Sequence, residues 1–207
     1  MFRQLIYNKN MLLGIDVSSW QKDLNIAQTG ADFVIVKATQ DLNYVNPYLE
    51  HQVKRTRDTG KLLGLYHYAG GEDPIKEADF FIETVRPYSN NAMLVLDWEA
   101  EQNKSYDQQA KWCFKFLSRV KQRTRQEPVI YMNAKTLANA NWSRVKESGF
   151  DLWLAGYPDL RDSWDVPELK FDTLPWRRPI MWQYTTSGGS LDRNVFYGEK
   201  EDWQKYI

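Results

Sequence analysis

Apolar and β-branched residues gather in short runs along the chain. They fall at 11–17 (MLLGIDV), 33–38 (FVIVKA), 62–68 (LLGLYHY), 92–98 (AMLVLDW), 128–132 (PVIYM), 151–155 (DLWLA) and 180–184 (IMWQY). Runs of this length between turn residues read as strands. Most are apolar at consecutive positions, which predicts strands covered on both faces. Helical signals lie between them. Asn46-Pro47 supplies an N-cap and a first-turn proline for a helix that Gly60 should stop. Pro74 opens a second helix, 74–86, with Ile75, Ala78, Ile82 and Val85 on one stripe. Ser105 and Gln108 form a capping-box pattern. The helix they open puts Tyr106, Ala110, Cys113, Phe114, Leu117 and Val120 on one face. Cys113 is therefore expected in the core, in an apolar stripe with no base beside it.

Alternating strands and helices predict a parallel sheet with helical crossovers. Seven or eight strands fit a closed barrel better than a small open sheet. The expected fold class is α/β, an irregular TIM-like (β/α) barrel. The 207 residues fall short of the roughly 250 typical of eight full units. From 156 onward the chain is richer in Pro and Trp and poor in helix signals, so reduced helices are expected in the last third. No internal repeat, low-complexity segment or linker interrupts it. The expected division is an N-terminal extension, 1–10, and a single catalytic domain, 11–207.

The active site of such a barrel lies at the C-terminal ends of its strands. The run at 93–96 ends in Asp97-Trp98-Glu99. Strand parity puts Asp97 and Glu99 on one face, with Cα atoms about 6–7 Å apart. Two carboxyls that close disfavour ionising together, so one tends to keep its proton. A proton donor beside a carboxylate is the minimum equipment for cleaving a glycosidic bond. Alone, the pair reads equally as solvated acids at a strand end. The other strand ends change this. They carry Asp16 followed by Ser18-Ser19-Trp20-Gln21, then Lys37, Tyr66-His67-Tyr68, Tyr131, Trp153 with Tyr157, and Trp182-Gln183-Tyr184. Polar and aromatic groups thus collect at one end of nearly every strand. Lys37 ends an apolar strand and needs a partner there, so it is expected to neutralise Asp16 or another acid. Parity also means that Tyr66 and His67 cannot both point into the site. His51 sits within a helix and is expected at the surface.

Nine Trp and twelve Tyr exceed what a core of this size needs, because buried rings must also satisfy their polar ends. Sugar-binding clefts use such rings as stacking platforms. The 27 basic and 27 acidic residues cancel, which argues against a nucleic-acid footprint and gives no anchor for anionic membranes. No apolar stretch approaches the roughly 18 residues of a membrane span. The first residues carry no secretory signal pattern, which fits a protein released on lysis or a chain that begins after a removed signal. One Cys and two His make a structural zinc site improbable. No metal or cofactor is expected.

The segments GIDVSSWQ, DFVIVKATQ, GLYHYA, LVLDWEA, PVIYMNAKT, LWLAGYP and MWQYTTSGGSLDRN, in that order, resemble the glycoside hydrolase family 25 lysozymes. The resemblance runs from about Met11 to about Asn194. It implies an irregular (β/α) barrel and an N-acetylmuramidase of the phage endolysin or bacterial lysozyme type. Such an enzyme cuts the β-1,4 bond between N-acetylmuramic acid and N-acetylglucosamine. By the same resemblance Glu99 matches the general acid and Asp97 its partner, while Asp16 and Asp192 match two further acids. Tyr66, Tyr131, Trp153, Tyr157 and Gln183 are candidates to line the glycan groove. Asp97 either attacks the sugar or orients its 2-acetamido group; the assisted, retaining route is the expectation. The implied partner is the glycan strand of bacterial peptidoglycan, met by a monomer at the cell wall. The chain departs from the family at Leu191-Asp192-Arg193-Asn194, where Val-Asp-Xaa-Asn is usual, and no wall-binding repeats follow. Two other readings of the same acids are a barrel that binds glycan without cutting it and a hydrolase that holds a hard cation.

Overall fold

The computed structural model describes residues 10–99, 105–158, 163–185 and 191–207. The proposed extension, 1–10, lies outside them apart from Asn10. The seven apolar runs become seven parallel strands: β1 (Leu12–Val17), β2 (Phe33–Gln40), β4 (Leu62–Tyr68), β5 (Ala92–Asp97), β6 (Val129–Asn133), β7 (Leu152–Ala155) and β8 (Met181–Thr185). Two more strands complete the sheet. β3 (Tyr44–Val45) hangs from β2 as an antiparallel hairpin arm. β9 (Asp192–Phe196) runs antiparallel to both β8 and β1. The order is β1-β9-β8-β7-β6-β5-β4-β2-β3, and β1 also pairs with β2. Leaving out β3, eight strands close a barrel.

Helices thin out along the chain as expected. α1 (Leu49–Asp58), α2 (Pro74–Val85) and α3 (Tyr106–Thr124) span 10, 12 and 19 residues. α4 (Ala134–Asn139), α5 (Ser143–Glu147) and α6 (Lys200–Trp203) span 6, 5 and 4. α3 starts at the predicted capping box, with the Ser105 N–H donating to Gln108 Oε1 at 3.0 Å. Gly60 follows α1 with a positive φ of +67°, where glycine carries no Cβ penalty. Asn46 caps a turn ahead of α1 rather than the helix itself. Its Oδ1 accepts from the Tyr48 N–H at 3.0 Å. The α2 stripe is buried at Ala78, Ile82 and Val85, joined by Phe81, but Ile75 is 39% exposed. Ile75 lies on the first turn, before the stripe meets the core. Cys113 is fully buried in the core, as its stripe predicts.

Alternation along the strands divides the apolar residues into two cores. Outward-facing residues such as Val34, Val36, Leu65, Leu94, Leu96 and Ile130 pack beneath the helices. Inward-facing Phe33, Ile35, Met93, Val95, Val129, Met181 and Phe196 fill the barrel. Gly14 faces inward too, and a Cβ there would lie 2.2 Å from the Phe33 ring. Its glycine is what admits that ring. Trp203 on α6 closes the lower end, with ring centroids 5.0 Å from Phe33 and 5.2 Å from Phe196. Burying large side chains this way contributes about 1.5–3 kcal/mol each, and the upper half of the same barrel is left to polar groups.

Candidate active site

All nine sequence-predicted site residues line one cleft of about 330 Å³ at the upper mouth of the barrel: Asp16, Asp97, Glu99, Asp192, Tyr66, Tyr131, Trp153, Tyr157 and Gln183. Register explains how they meet. Asp16 on β1 stands opposite Asp192 on β9. Tyr66 pairs with Lys37, Tyr68 with Asp97, and Asp97 with Tyr131. Tyr131 pairs with Trp153, whose ring packs edge-on against it at 4.6 Å. Glu99 continues the inward parity of Met93, Val95 and Asp97, two residues past the end of β5. Asp192 comes from the start of its strand because β9 runs downward, so its N-terminal end shares the mouth with the C-terminal ends of the others.

A connected hydrogen-bond network forms the floor. Asp16 Oδ2 accepts from Gln183 Nε2 at 2.8 Å and from Asn194 Nδ2 at 2.7 Å. Asn194 Oδ1 accepts from the Trp153 indole N–H at 2.9 Å. Gln183 Oε1 accepts from the Tyr131 hydroxyl at 3.0 Å and the Tyr157 hydroxyl at 2.6 Å. These bonds fix the amide orientations, since each Nδ2 or Nε2 faces a carboxylate and each carbonyl oxygen faces a donor.

Asp16, Asp97 and Glu99 are harder to ionise than in water. Burial, and next the charge of Asp192, pushes Asp16 up to about 8, against the pull of its two amide donors. Asp97 is only 7% exposed and is pushed well above the carboxylate range by burial and then by Glu99, with Lys37 opposing. Its Oδ1 is buried and has no hydrogen-bond partner among the described residues. Glu99 stands exposed at the rim. Its pKa is also raised, chiefly by desolvation against the cleft wall. A hydrogen bond from Tyr131 opposes this, Asp192 adds to it, and Lys37 opposes it. The pair on β5 thus combines a buried carboxyl with an open acceptor atom and an accessible acid inclined to hold its proton.

Lys37 does not pair with Asp16. It donates to Gln40 Oε1 at 2.7 Å and lies 4.6 Å over the Tyr68 ring and 5.6 Å over that of Tyr44. Burial lowers its pKa, and the acid that opposes this most is Asp97. A register shift between Lys37 and Thr39 makes the geometry possible. Ala38 joins the outer core and Thr39 bonds the outward His67, so Gln40 returns to the inner side beside Lys37. His67 is fully buried under α2 and α3, away from the cleft. Burial lowers its pKa, so it is neutral. Nε2 faces Glu77 at 2.9 Å and Nδ1 faces the Thr39 hydroxyl at 2.8 Å, an arrangement satisfied by an Nε2–H donor and a Thr39 donor. His51 is exposed on α1.

Among the described residues no three His, Cys, Asp or Glu side chains are grouped to hold a metal ion. A larger cleft, about 770 Å³, opens elsewhere between Leu13, Tyr197 and the 164–169 segment. Among the described residues its acids, Asp32, Asp165 and Glu168, are not joined in a network like that around Asp16, so the chemistry is assigned to the smaller one.

The family model described as glycosyl hydrolases family 25 matches residues 15–192, from β1 to the first residue of β9. The chain belongs to that family. As a family 25 member it is a glycoside hydrolase. It is 29% identical to Lysozyme M1 of Streptomyces globisporus over 207 residues, covering 89% of this chain and 67% of that one. An uncharacterized protein of Escherichia coli O157:H7, YegX, is 29% identical over 210 residues, with 94% and 72% coverage. The bacterial lysozyme of Streptomyces coelicolor superposes with a TM-score of 0.78 at 25% identity, covering 95% and 96%. The barrel of this family 25 hydrolase thus rests on both pattern and likeness. No helix among its described residues is long and apolar enough to cross a membrane.

Asn194, Tyr68 and Trp20 also belong to the site of this family 25 hydrolase; the last two stood at the strand ends but were not among the groove candidates. Asn194 is fully buried and shares the inward parity of Asp192. That parity was readable once 192–196 was taken as a strand, but three polar residues at its start mask the strand signal. Tyr68 has the parity of Tyr66. Trp20 lies just past the β1 end, in the turn that follows Asp16.

Proposed function

We propose that this hydrolase is an N-acetylmuramidase that cleaves the β-1,4 bond from N-acetylmuramic acid to N-acetylglucosamine in bacterial peptidoglycan, acting at the cell wall. The observation that carries the reading is the β5 pair, with Glu99 accessible and raised in pKa and Asp97 buried with Oδ1 open. The lysozyme names of its relatives point to the same substrate.

In this reading Glu99 gives its proton to the glycosidic oxygen as the C1–O bond breaks. The carbonyl oxygen of the sugar's 2-acetamido group attacks C1, and Asp97 Oδ1 accepts the acetamido N–H. Water then opens the cyclic intermediate with Glu99 as base, which retains the anomeric configuration. Tyr131 follows the charge. Its hydroxyl faces both Gln183 Oε1 and Glu99, with one proton to give. Tyr157 already donates to Gln183 at 2.6 Å, so Tyr131 can turn to Glu99 once that carboxyl ionises. Asp192 places its charge beside the developing cation, while Asp16 holds Gln183 and Asn194 in the floor of the site. Tyr66, Trp153, Tyr157 and Gln183 shape the groove.

The test is the product. Purified peptidoglycan treated with the enzyme should yield fragments with muramic acid at the reducing end, read by mass spectrometry after borohydride reduction. Fragments ending in glucosamine would overturn the bond assignment.

A further inference from the structure

Trp20 stands apart from the other aromatic residues. Of the nine Trp, seven are buried, yet Trp20 is 91% exposed while lining the cleft. The backbone turn that carries it is braced by hydrogen bonds within the turn and from α1. The Ser18 N–H donates to Gln21 Oε1 at 2.9 Å, and the Trp20 N–H reaches Ser18 Oγ at 3.3 Å. Gln52, only 2% exposed, donates to the Ser18 carbonyl at 2.8 Å. Gln52 in turn accepts from Asn46 at 2.9 Å, and Asn46 also donates to the Lys37 carbonyl at 2.8 Å. Two buried amides therefore tie the Trp20 turn to the strand that carries Lys37. A satisfied buried network of this kind rigidifies what it holds. A turn fixed in advance has less backbone entropy to lose when a ligand covers the ring it carries.

Position around the mouth adds the second observation. In the closed order β1-β9-β8-β7-β6-β5-β4-β2, Trp20 follows β1, and Tyr157, 39% exposed, follows β7. Two exposed rings thus flank the acids from separate sectors of one cleft. We infer that Trp20 is the stacking platform of a remote subsite, which takes a pyranose ring of a β-1,4-linked N-acetylated glycan away from the bond being cut. The flat indole face matches the C–H face of a sugar ring. This inference rests on the reading of the cleft as a glycan site. A remote subsite acts only on chains long enough to reach it, so its signature is a dependence on chain length.

The experiment uses the full chain carrying Glu99→Gln, titrated with β-1,4-linked N-acetylglucosamine oligomers from dimer to hexamer by calorimetry. Adding Trp20→Ala should weaken hexamer binding by about tenfold and dimer binding much less. Trp20→Tyr should restore part of the loss. With Glu99 intact, Gln52→Ala should raise KM for peptidoglycan more than it lowers kcat, because it frees the turn without touching the acids. Unchanged hexamer affinity in Trp20→Ala would overturn the inference while leaving the glycan reading in place. An equal loss for dimer and hexamer would also overturn it, by placing Trp20 at the point of cleavage. If the Glu99→Gln protein bound no oligomer and wild type released no sugar, the glycan reading would fall first and the subsite with it.

Discussion

The lower and upper halves of one barrel obey the same geometry and opposite chemistry. Below, inward positions carry Phe33, Met93, Phe196 and the Trp203 plug, all buried and apolar. Above, the same alternation continues into Asp16, Lys37, Asp97 and Asn194. The lower half stabilises the fold by removing apolar surface from water. The upper half holds acids where burial makes ionisation unfavourable. What separates them is only the height along each strand, and the lesson is that function here is written against stability within a few residues.

The largest expected effects set the two halves directly against each other. Glu99→Gln should lower kcat on peptidoglycan by about 10²–10⁴, the range of general acid catalysis, with the melting temperature nearly unchanged because the side chain is exposed. Trp203→Ala should do the reverse. It removes a fully buried indole and should cost about 3–5 kcal/mol in urea unfolding, while kcat measured well below the melting point stays near wild type. If Trp203→Ala cut kcat as deeply as Glu99→Gln, the halves would not be separable.

Asp16→Asn sharpens the contrast through pH. A carboxyl raised from 3.8 to about 8 binds its proton more tightly in the fold than in the unfolded chain. Its contribution is therefore complete below pH 4 and lost as the pH rises towards 8. Asparagine has no such loss and still offers an acceptor to Gln183 and Asn194. The variant should gain roughly 1–3 kcal/mol over wild type between pH 4 and 8, read as diverging urea midpoints, while losing activity. Parallel midpoints across that range would show that Asp16 does not titrate as its burial implies.

The smallest effect concerns Tyr131. Its hydrogen bond favours the ionised form of Glu99. Tyr131→Phe should raise the Glu99 pKa further and move the alkaline limb of kcat/KM to higher pH by about one unit or less. A limb that moved to lower pH would mean that Tyr131 serves the protonated acid instead.

Much of this was legible before any coordinates. The β5 segment shows why: period-two alternation carries Met93, Val95, Asp97 and Glu99 to one face whatever surrounds them. Parity also excluded either Tyr66 or His67 from the cleft, but could not choose. The choice came from α2, whose Glu77 holds His67 beneath the helices. β9 was illegible for a different reason. Asp192, Arg193 and Asn194 are polar because they face or border the network, so the feature that makes the strand functional hides it from an apolar pattern. Lys37 met an acid other than Asp16: Asp97 is the carboxyl that most favours its charge, and the one-residue shift that turns Gln40 inward beside it leaves no signature in hydrophobic period.

The sequence by itself determined the strands of the parallel barrel, the thinning of the helices and the residue types gathered at the mouth, because alternation and capping are local rules. Only the tertiary structure decided which acid is buried and which is accessible, that Asn194 and Gln183 hold Asp16, and that the turn bearing Trp20 is braced. Those outcomes depend on what surrounds each group across strands distant in sequence, and desolvation is set by that surrounding and not by the residue.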